Sequence, residues 1–240
     1  MNDKTIILIP ARMNSRRLPG KPMLKADGVP LVHWTYLRAK QSDADHVFVI
    51  SPDKEICQYC AQHGIDWFPT TENPPTGTHR CAEAAERMQE GVGRIINLQV
   101  DEPLVEVDDL NRMIRSPFEN IITFAAIPEC NRIAVHDQNT AKVAVSRNWT
   151  AHWFSRAPMR GAMLHCGVYS YPVQTLIELG RLRLTPMSLE ESLEQLSWLE
   201  AGYKIDVIGI RKLPLSINTQ ENWDRYSRFV EREQARAEAD

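Results

Sequence analysis

A basic loop near the amino terminus carries the side chains best suited to chemistry. The stretch from Pro10 to Pro22 reads PARMNSRRLPGKP and concentrates three arginines, one lysine and a glycine. Fixed positive charge and backbone N–H groups in such a loop can bind a triphosphate and offset the repulsion between an anionic nucleophile and phosphorus. The loop lacks the GxxxxGK[ST] spacing of a Walker A motif. On charge alone, a solvent-exposed basic loop explains the pattern equally well.

The segment from Asn97 to Pro103, NLQVDEP, is a second candidate. Asp101 and Glu102 adjoin a proline, which holds the backbone extended or turning, so we expect at least one carboxylate to project into a cleft. Mg²⁺ prefers oxygen ligands and in nucleotide enzymes often combines one or two carboxylates with phosphate oxygens. Without the basic loop, an ordinary acidic turn would be the better interpretation of DEP.

Alternating strands and helices are predicted to position these two segments. Apolar, β-rich runs predict strands at Thr5–Ile9, His46–Ile50, Arg94–Gln99 and Ile121–Ala126. Helical spacing predicts helices at Leu31–Lys40, Lys54–His63, Thr78–Met88 and Asp108–Ile114. The alternation favours an α/β fold with a parallel sheet. In such sheets, ligands gather at the carboxyl ends of the strands, where both candidate segments begin.

The second half of the chain changes character at residue 141. Residues 141–172 contain three shorter strand-like pieces, KVAVS, HWFSRAP and HCGVYSYP, which are either antiparallel additions or an insertion over the site. Helix-like VQTLIELG and SLEESLEQLSWLEAG, strand-like KIDVIGI and a polar helix from Gln220 follow. We expect a single domain over residues 1–240, with 141–172 as its β-rich segment.

The amino-acid composition restricts the kinds of partner that we expect. The net charge of -3 gives no overall attraction for nucleic acid or an anionic membrane, and we expect neither as a partner. The sequence has no apolar run of membrane-spanning length and no signal-peptide pattern, which predicts a cytoplasmic protein. The five cysteines are odd in number and are expected to be reduced, with Cys57 and Cys60 as an ordinary helical pair.

The basic loop in its full form, IPARMNSRRLPGKP, resembles the CTP-binding signature of CMP-Kdo synthetases (3-deoxy-manno-octulosonate cytidylyltransferases). The likeness continues in order through TGTHR, NLQVDEP, AKVAVS, FSRAP, HCGVYSY, LEQL and INTQENWDR, nearly the whole chain. CMP-sialic acid synthetases share the fold and the opening IPAR, but LPGKP is similar to the Kdo branch. The resemblance implies a Rossmann-like, mostly parallel central sheet flanked by helices, and a homodimer. It also implies Mg²⁺-dependent transfer of CMP from CTP to an acidic sugar, with release of pyrophosphate.

The resemblance also implies which residues bind the nucleotide. They are Pro10, Ala11, Arg12, Arg17 and Lys21 in the basic loop, and Thr76, Gly77, Thr78 and Arg80 in TGTHR. Among them Arg12 and Lys21, together with Asp101, are the implied catalytic residues. Arg16 is an extra charge without a counterpart in the family. His79 replaces a family glutamate in the form SGTER, and we interpret it as a surface substitution at a helix start.

On the acceptor side, the implied sugar-binding residues are Gln99, Arg156, His165, Tyr169, Glu191 and Glu194. An arginine suits a sugar carboxylate because its planar fork donates two parallel hydrogen bonds. Taken singly, Arg156 is equally a surface ion pair, Tyr169 core packing and Glu194 a solvated helix face. Asp101 and Asn218 are the implied metal ligands. No residue stands out as a general base.

Three departures from the family fall on the acceptor and metal side. Asn218 stands where the family has a metal-binding aspartate, which predicts weaker metal affinity. Only the eight residues Pro158–His165 connect FSRA to the HCG motif, where the family has a longer segment, and Ser188 replaces a glutamate. CTP is therefore better supported than Kdo. The alternatives are another acid, such as a nonulosonate, amino-Kdo or a phosphonate, and a non-catalytic CTP-binding protein.

Overall fold

A nine-stranded sheet runs through the part of the molecule that the computed structural model describes, residues 4–15, 17–71, 74–127 and 136–237. Strands β1 to β11 span Lys4–Pro10, Lys25–Ala26, Val29–Pro30, His46–Ser51, Trp67–Pro69, Val92–Asn97, Ile121–Ala126, Lys142–Val145, Ala151–Ser155, Met163–Pro172 and Ile205–Ile210. The strand order is β11-β7-β10-β6-β1-β4-β5, with β8 paired to β10 and β9 to β8. Strands β2 and β3 form a separate hairpin. Arg16 and Cys130 lie outside the described residues.

The sheet is parallel along this path except at β10, which is antiparallel to both β6 and β7. Helices α1 to α8 span Leu31–Lys40, Lys54–Gln62, Gly77–Met88, Val107–Ile114, Val173–Leu179, Pro186–Glu191, Gln195–Glu200 and Gln220–Ala237. The predicted Rossmann-like, mostly parallel sheet flanked by helices is confirmed. The first four predicted helices begin and end within one residue of the observed ones.

Apolar residues on both faces of β1 place it at the centre of the core. Ile7 and Ile9 pack in one apolar cluster with side chains of α1 and α2, whereas Ile6 and Leu8 pack in another with side chains of α3 and α5. All four are 2% exposed or less. A continuous apolar run of this kind is what a strand covered by helices on both faces requires.

The structure corrects the predicted helix over residues 188–202. Two helices, α6 and α7, occupy this stretch, and Ser192 lies between them in the left-handed region with φ 52°. A non-glycine residue in that conformation interrupts a right-handed helix. The short strand β5 and the β2–β3 hairpin were not predicted. The four described cysteines are unpaired. None of the helices in the described ranges is both long and apolar enough to cross a membrane.

One edge of the sheet gathers the segments that carry the candidate chemistry. The carboxyl ends of β1, β4, β6 and β11 lie at this edge because the strands are parallel. The amino-terminal half of β10 extends past the end of β6 and pairs there with β7 and β8. The hairpin of β8 and β9 is therefore an antiparallel addition at the same edge, which was one of the two predicted alternatives.

Candidate active site

The basic loop after β1 meets the acidic turn after β6. Lys21 Nζ donates to Asp101 Oδ2 at 2.6 Å and to the carbonyl oxygen of Ile217 at 3.1 Å. The side chains of Lys21 and Asp101 are only 11% and 18% exposed. The backbone N–H of Ile217 donates to the carbonyl oxygen of Asp101 at 2.9 Å. The segment after β11 thus joins the two predicted elements at a single point.

The basic loop is anchored to the strand and helix beside it. Ala11 N–H donates to the carbonyl oxygen of Ile50 at the end of β4. Met13 N–H donates to Asp53 Oδ2 at 2.9 Å. Gly20, with φ 67°, takes the left-handed conformation that returns the loop toward Met13. The backbone of the loop is therefore held in shape without using its cationic side chains.

Arg17 connects the basic loop to Asn218. Its guanidinium donates to Asn218 Oδ1 at 2.8 Å and to Asn139 Oδ1 at 3.5 Å. Asn218 directly follows Ile217, the residue that bonds both Lys21 and Asp101. In this arrangement its amide oxygen accepts from a guanidinium.

The first turn of α3 lies against Gln99. Thr76 is the N-cap of this helix, and its hydroxyl accepts from the N–H of His79. A Cβ atom on Gly77 would come within 2.6 Å of Gln99 Nε2. Gln99 Nε2 in turn donates to Asn97 Oδ1 at 2.8 Å. An implied nucleotide residue and an implied sugar residue are thus in direct contact.

Arg80 lies beneath this turn and is 3% exposed. Its guanidinium donates to Thr70 Oγ1 at 2.5 Å and to the carbonyl oxygen of Thr71 at 2.8 Å. Burial lowers the pKa of Arg80, and the positive charge of Arg12 lowers it further. The two implied nucleotide-binding arginines are therefore electrostatic neighbours.

Thr78 points into the protein. Its hydroxyl donates to Glu194 Oε1 at 2.7 Å and lies 3.2 Å from the hydroxyl of Tyr171. The second carboxylate oxygen of Glu194 is buried and has no hydrogen-bond partner among the described residues. Burial raises the pKa of Glu194. The side chain of Thr78 thus contacts the acceptor side, and Glu194 is not the solvated side chain of the alternative interpretation.

His165 and Tyr169 form a neutral pair on β10. His165 Nε2 lies 2.8 Å from Tyr169 Oη and 3.2 Å from Thr123 Oγ1. Burial lowers the pKa of His165 to about 3, and the charge of Arg156 adds to the effect. Burial raises the pKa of Tyr169 well above its usual value. Both side chains therefore act as uncharged hydrogen-bonding groups at neutral pH.

Arg156 and Glu191 hold two segments together. The backbone N–H of Arg156 donates to Glu191 Oε2 at 2.9 Å. Its guanidinium donates to four main-chain carbonyl oxygens, those of Glu191, Gln138, Asn139 and Ser192. Arg156 is thus half-buried and well bonded, unlike the surface ion pair of the alternative interpretation. Its role toward a sugar carboxylate stays a prediction.

Sequence reasoning left Glu102 without a role. The side chain is 4% exposed, Oε1 accepts from the hydroxyl of Ser216, and Oε2 has no partner in the described part of the chain. Burial raises the pKa of Glu102 to about 8, and the neighbouring charge of Asp101 contributes. The only sequence signal for this buried carboxyl was its position beside Asp101.

The oxygen ligands that the protein offers suit a cation that is bound partly by the substrate. No group of three or more His, Cys, Asp or Glu side chains in the described ranges could bind a metal by itself. Asp101 supplies a carboxylate at the edge of the sheet, and Mg²⁺ in nucleotide enzymes is commonly held by one or two carboxylates and by phosphate oxygens. The residues present fit such a site.

The family model for cytidylyltransferases matches residues 6–205. The chain belongs to the cytidylyltransferase family. The matched range contains every implied site residue except Asn218, the departure on the metal side.

Relatives of this cytidylyltransferase carry the name suggested by its motifs. The chain is 34% identical over 238 residues to a 3-deoxy-manno-octulosonate cytidylyltransferase of Fusobacterium nucleatum, covering 95% of this chain and 97% of the relative. It is 30% identical to the mitochondrial enzyme of that name in Arabidopsis thaliana, covering 92% and 81%. The resemblance to CMP-Kdo synthetases is confirmed.

Solved structures agree with the fold. A CMP:2-keto-3-deoxy-manno-octonic acid synthetase complexed with CTP superposes with a TM-score of 0.87 at 28% identity, over 96% of this cytidylyltransferase and 99% of that chain. A complex of Rv0371c from Mycobacterium tuberculosis with manganese has a TM-score of 0.59 at 14% identity, which shows a shared fold alone.

Proposed function

We propose that this cytidylyltransferase transfers CMP from CTP to the anomeric hydroxyl of a 3-deoxy-ulosonic acid and releases pyrophosphate, with Kdo as the first candidate acceptor. The observation that carries the proposal is the contact between Lys21 and Asp101 at the carboxyl edge of the sheet. It joins the phosphate-binding loop to a carboxylate suited to a divalent ion. Relatives covering nearly the whole chain are named for this reaction.

The nucleotide is proposed to lie between the basic loop and the first turn of α3. Arg12, Arg17 and Lys21 would bind the phosphates, while the backbone of residues 76–78 would face the base and ribose. Backbone groups in fixed positions can select one base, because another base would leave buried polar atoms unpaired. Arg80 supports this turn from below through its bonds to the loop at residues 70–71.

Magnesium is the proposed cofactor, with Asp101 as its protein ligand and Asn218 as a weaker one. When bound, the ion neutralises phosphate charge and favours the deprotonated form of a nearby hydroxyl, which reduces the need for a general base. Lys21 would exchange its bond to Asp101 for one to phosphate. Placement and fixed charge then account for most of the catalysis expected of the protein.

The acceptor is proposed to bind among Gln99, His165, Tyr169 and Glu194. The neutral imidazole and phenol suit sugar hydroxyls, and the unpartnered oxygen of Glu194 is a ready acceptor for one of them. A buried acceptor atom without a bond is costly, so a hydroxyl that satisfies it gains affinity. Arg156 and Glu191 are proposed to fix the walls of this region through their mutual contacts.

Release of pyrophosphate tests the function directly. The protein is incubated with CTP, Mg²⁺ and, in separate reactions, Kdo, amino-Kdo and sialic acid. Turnover with Kdo supports the leading proposal. Turnover with another acid alone supports the second candidate, which the short segment Pro158–His165 favours. Binding of CTP without release for any acid would favour the non-catalytic alternative. The homodimer, the single domain and the cytoplasmic location stay predictions.

A further inference from the structure

His79 forms a link that the interpretation as a surface substitution did not foresee. The ring is half-buried at the third position of α3. Its Nδ1 lies 2.8 Å from Thr76 Oγ1, and its Nε2 lies 3.2 Å from the carbonyl oxygen of Leu182. One side chain therefore bridges the N-cap of the helix and the segment that connects α5 to α6.

The carbonyl oxygen of Leu182 fixes the direction of one of the two ring bonds. A carbonyl oxygen only accepts, so Nε2 carries the proton on the Leu182 side. In the neutral ring, Nδ1 then accepts from the hydroxyl of Thr76, whose oxygen accepts in turn from the N–H of His79 at 3.3 Å. A glutamate at the same position could close a capping box with the N-cap N–H, but it has no donor for Leu182.

The first turn of α3 also contacts two residues of the proposed acceptor site. Thr78 donates to Glu194, and Gly77 lies against Gln99. Gly77 has no side chain, so the position of the turn depends on what its neighbours contact. Two contacts reach outside α3 on the other side of Thr78: the bonds of Arg80 to residues 70–71, and the tether from His79 to Leu182.

We propose that His79 is a positioning residue for the nucleotide: it fixes the turn at residues 76–78 against the segment carrying Leu182, so that the turn is placed before CTP binds. The inference rests on the proposed function, in which this turn meets cytosine and ribose. Groups that bind a ligand must be held within about 0.5 Å of their productive positions by supporting contacts. His79 itself needs no contact with substrate for this role.

A matched pair of variants tests the tether. His79→Met keeps a long, neutral side chain but removes both ring hydrogen bonds, whereas His79→Gln can still donate to Leu182. Calorimetry with CTP and Mg²⁺, without acceptor, gives the dissociation constant of each. Because His79→Met loses both ring hydrogen bonds and His79→Gln keeps a donor for Leu182, we expect His79→Met to weaken CTP binding about tenfold and His79→Gln to recover most of the loss. His46→Met, at an exposed position, should bind as the unchanged protein does.

Kinetics separate positioning from a merely structural role. His79→Met should raise KM for CTP while kcat and KM for the acceptor change by no more than about twofold, because the loss lies in ground-state placement of the nucleotide. Equal CTP affinity in the unchanged protein and in His79→Met overturns the inference, as does an equal loss in Met and Gln variants. If the unchanged protein does not bind CTP, the proposed function fails and the inference with it. If His79→Met does not fold, the CTP affinity of His79→Gln can be compared with that of His79→Asn, whose side chain reaches only Thr76.

Discussion

Lys21 Nζ donates to Asp101 Oδ2 at 2.6 Å, although these residues lie in loops that leave different strands. The pair is largely buried, and the carbonyl oxygen of Ile217 takes a second bond from the lysine. Each charge thus stabilises the other. In the proposed reaction, a bound triphosphate and divalent ion would supply both with new partners, because phosphate attracts the ammonium and the cation attracts the carboxylate.

Loss of the lysine should therefore affect catalysis more than folding. Lys21→Met removes fixed positive charge from the phosphates and leaves the Asp101 carboxylate unpaired. We expect kcat/KM to fall by about 10²–10³, the loss typical of removing one preorganised charge-stabilising group. Steady-state pyrophosphate release measures it, with Lys25→Met as the control at an exposed lysine. A loss of less than about fivefold would remove Lys21 from the catalytic machinery.

The contact between Gly77 and Gln99 makes a steric prediction. A Cβ at Gly77 would lie 2.6 Å from Gln99 Nε2, whereas one at Gly167 would meet nothing closer than 3.9 Å. Because Gln99 Nε2 is the end of a flexible side chain, Gly77→Ala should cost about 1 kcal/mol of unfolding free energy, the low end of the overpacking range, and should weaken CTP binding by moving the Gln99 amide. Gly167→Ala is the control in urea unfolding. If the Gly77→Ala/Gln99→Ala double variant regains stability without activity, the contact with Gln99 is the cause of the loss. Equal stability of the two single variants would refute the prediction.

Local sequence patterns predicted the frame of the site well. Apolar runs at Thr5–Ile9 and Arg94–Gln99 correctly predicted two strands. The structure pairs these strands in parallel, and Lys21 meets Asp101 beyond their carboxyl ends, as expected. Periodicity is local, and the shared edge of a parallel sheet then brings distant loops together. For this reason the sequence alone predicts which loops carry the reactive side chains.

Contacts between distant segments could not be predicted from local sequence patterns. The four carbonyl partners of Arg156, the tether of His79 to Leu182 and the burial of Glu102 each depend on how separate loops pack. The sequence around Ser192 has helical spacing, which predicts a continuous helix, but the left-handed backbone of Ser192 interrupts it. No pattern in a single sequence encodes which carbonyl a side chain will reach.

Asn218 should determine how much magnesium the enzyme needs. Its amide oxygen now accepts from Arg17 at 2.8 Å, and it lacks the charge that strengthens a carboxylate's hold on the ion. Asn218→Asp is expected to lower the Mg²⁺ concentration for half-maximal turnover by about three- to tenfold. Magnesium titration of pyrophosphate release tests this, with Asn148→Asp adding the same charge at an exposed turn. Identical titration curves for Asn218→Asp and the unchanged protein would count against it.

Burial of His165 should make stability depend on pH. Its pKa is about 3 in the folded protein, below the ordinary 6.5, because burial disfavours the imidazolium. Between these two values the unfolded chain binds a proton that the folded one does not, so the free energy of unfolding falls as pH falls, by about 1.4 kcal/mol per pH unit. Above the ordinary value the group contributes no slope.

The variant His165→Gln should remove that slope whatever its stability at neutral pH, since glutamine does not titrate. Urea unfolding at several pH values between about 4.5 and 6.5 measures the slope, where the unfolded histidine changes charge. His46→Gln, which alters an exposed histidine, should leave the slope close to that of the unchanged protein. If His165→Gln retains the full slope, the imidazole is protonated in the folded protein. The neutral pair with Tyr169 would then be wrong, because an imidazolium has no lone pair to accept from the phenol.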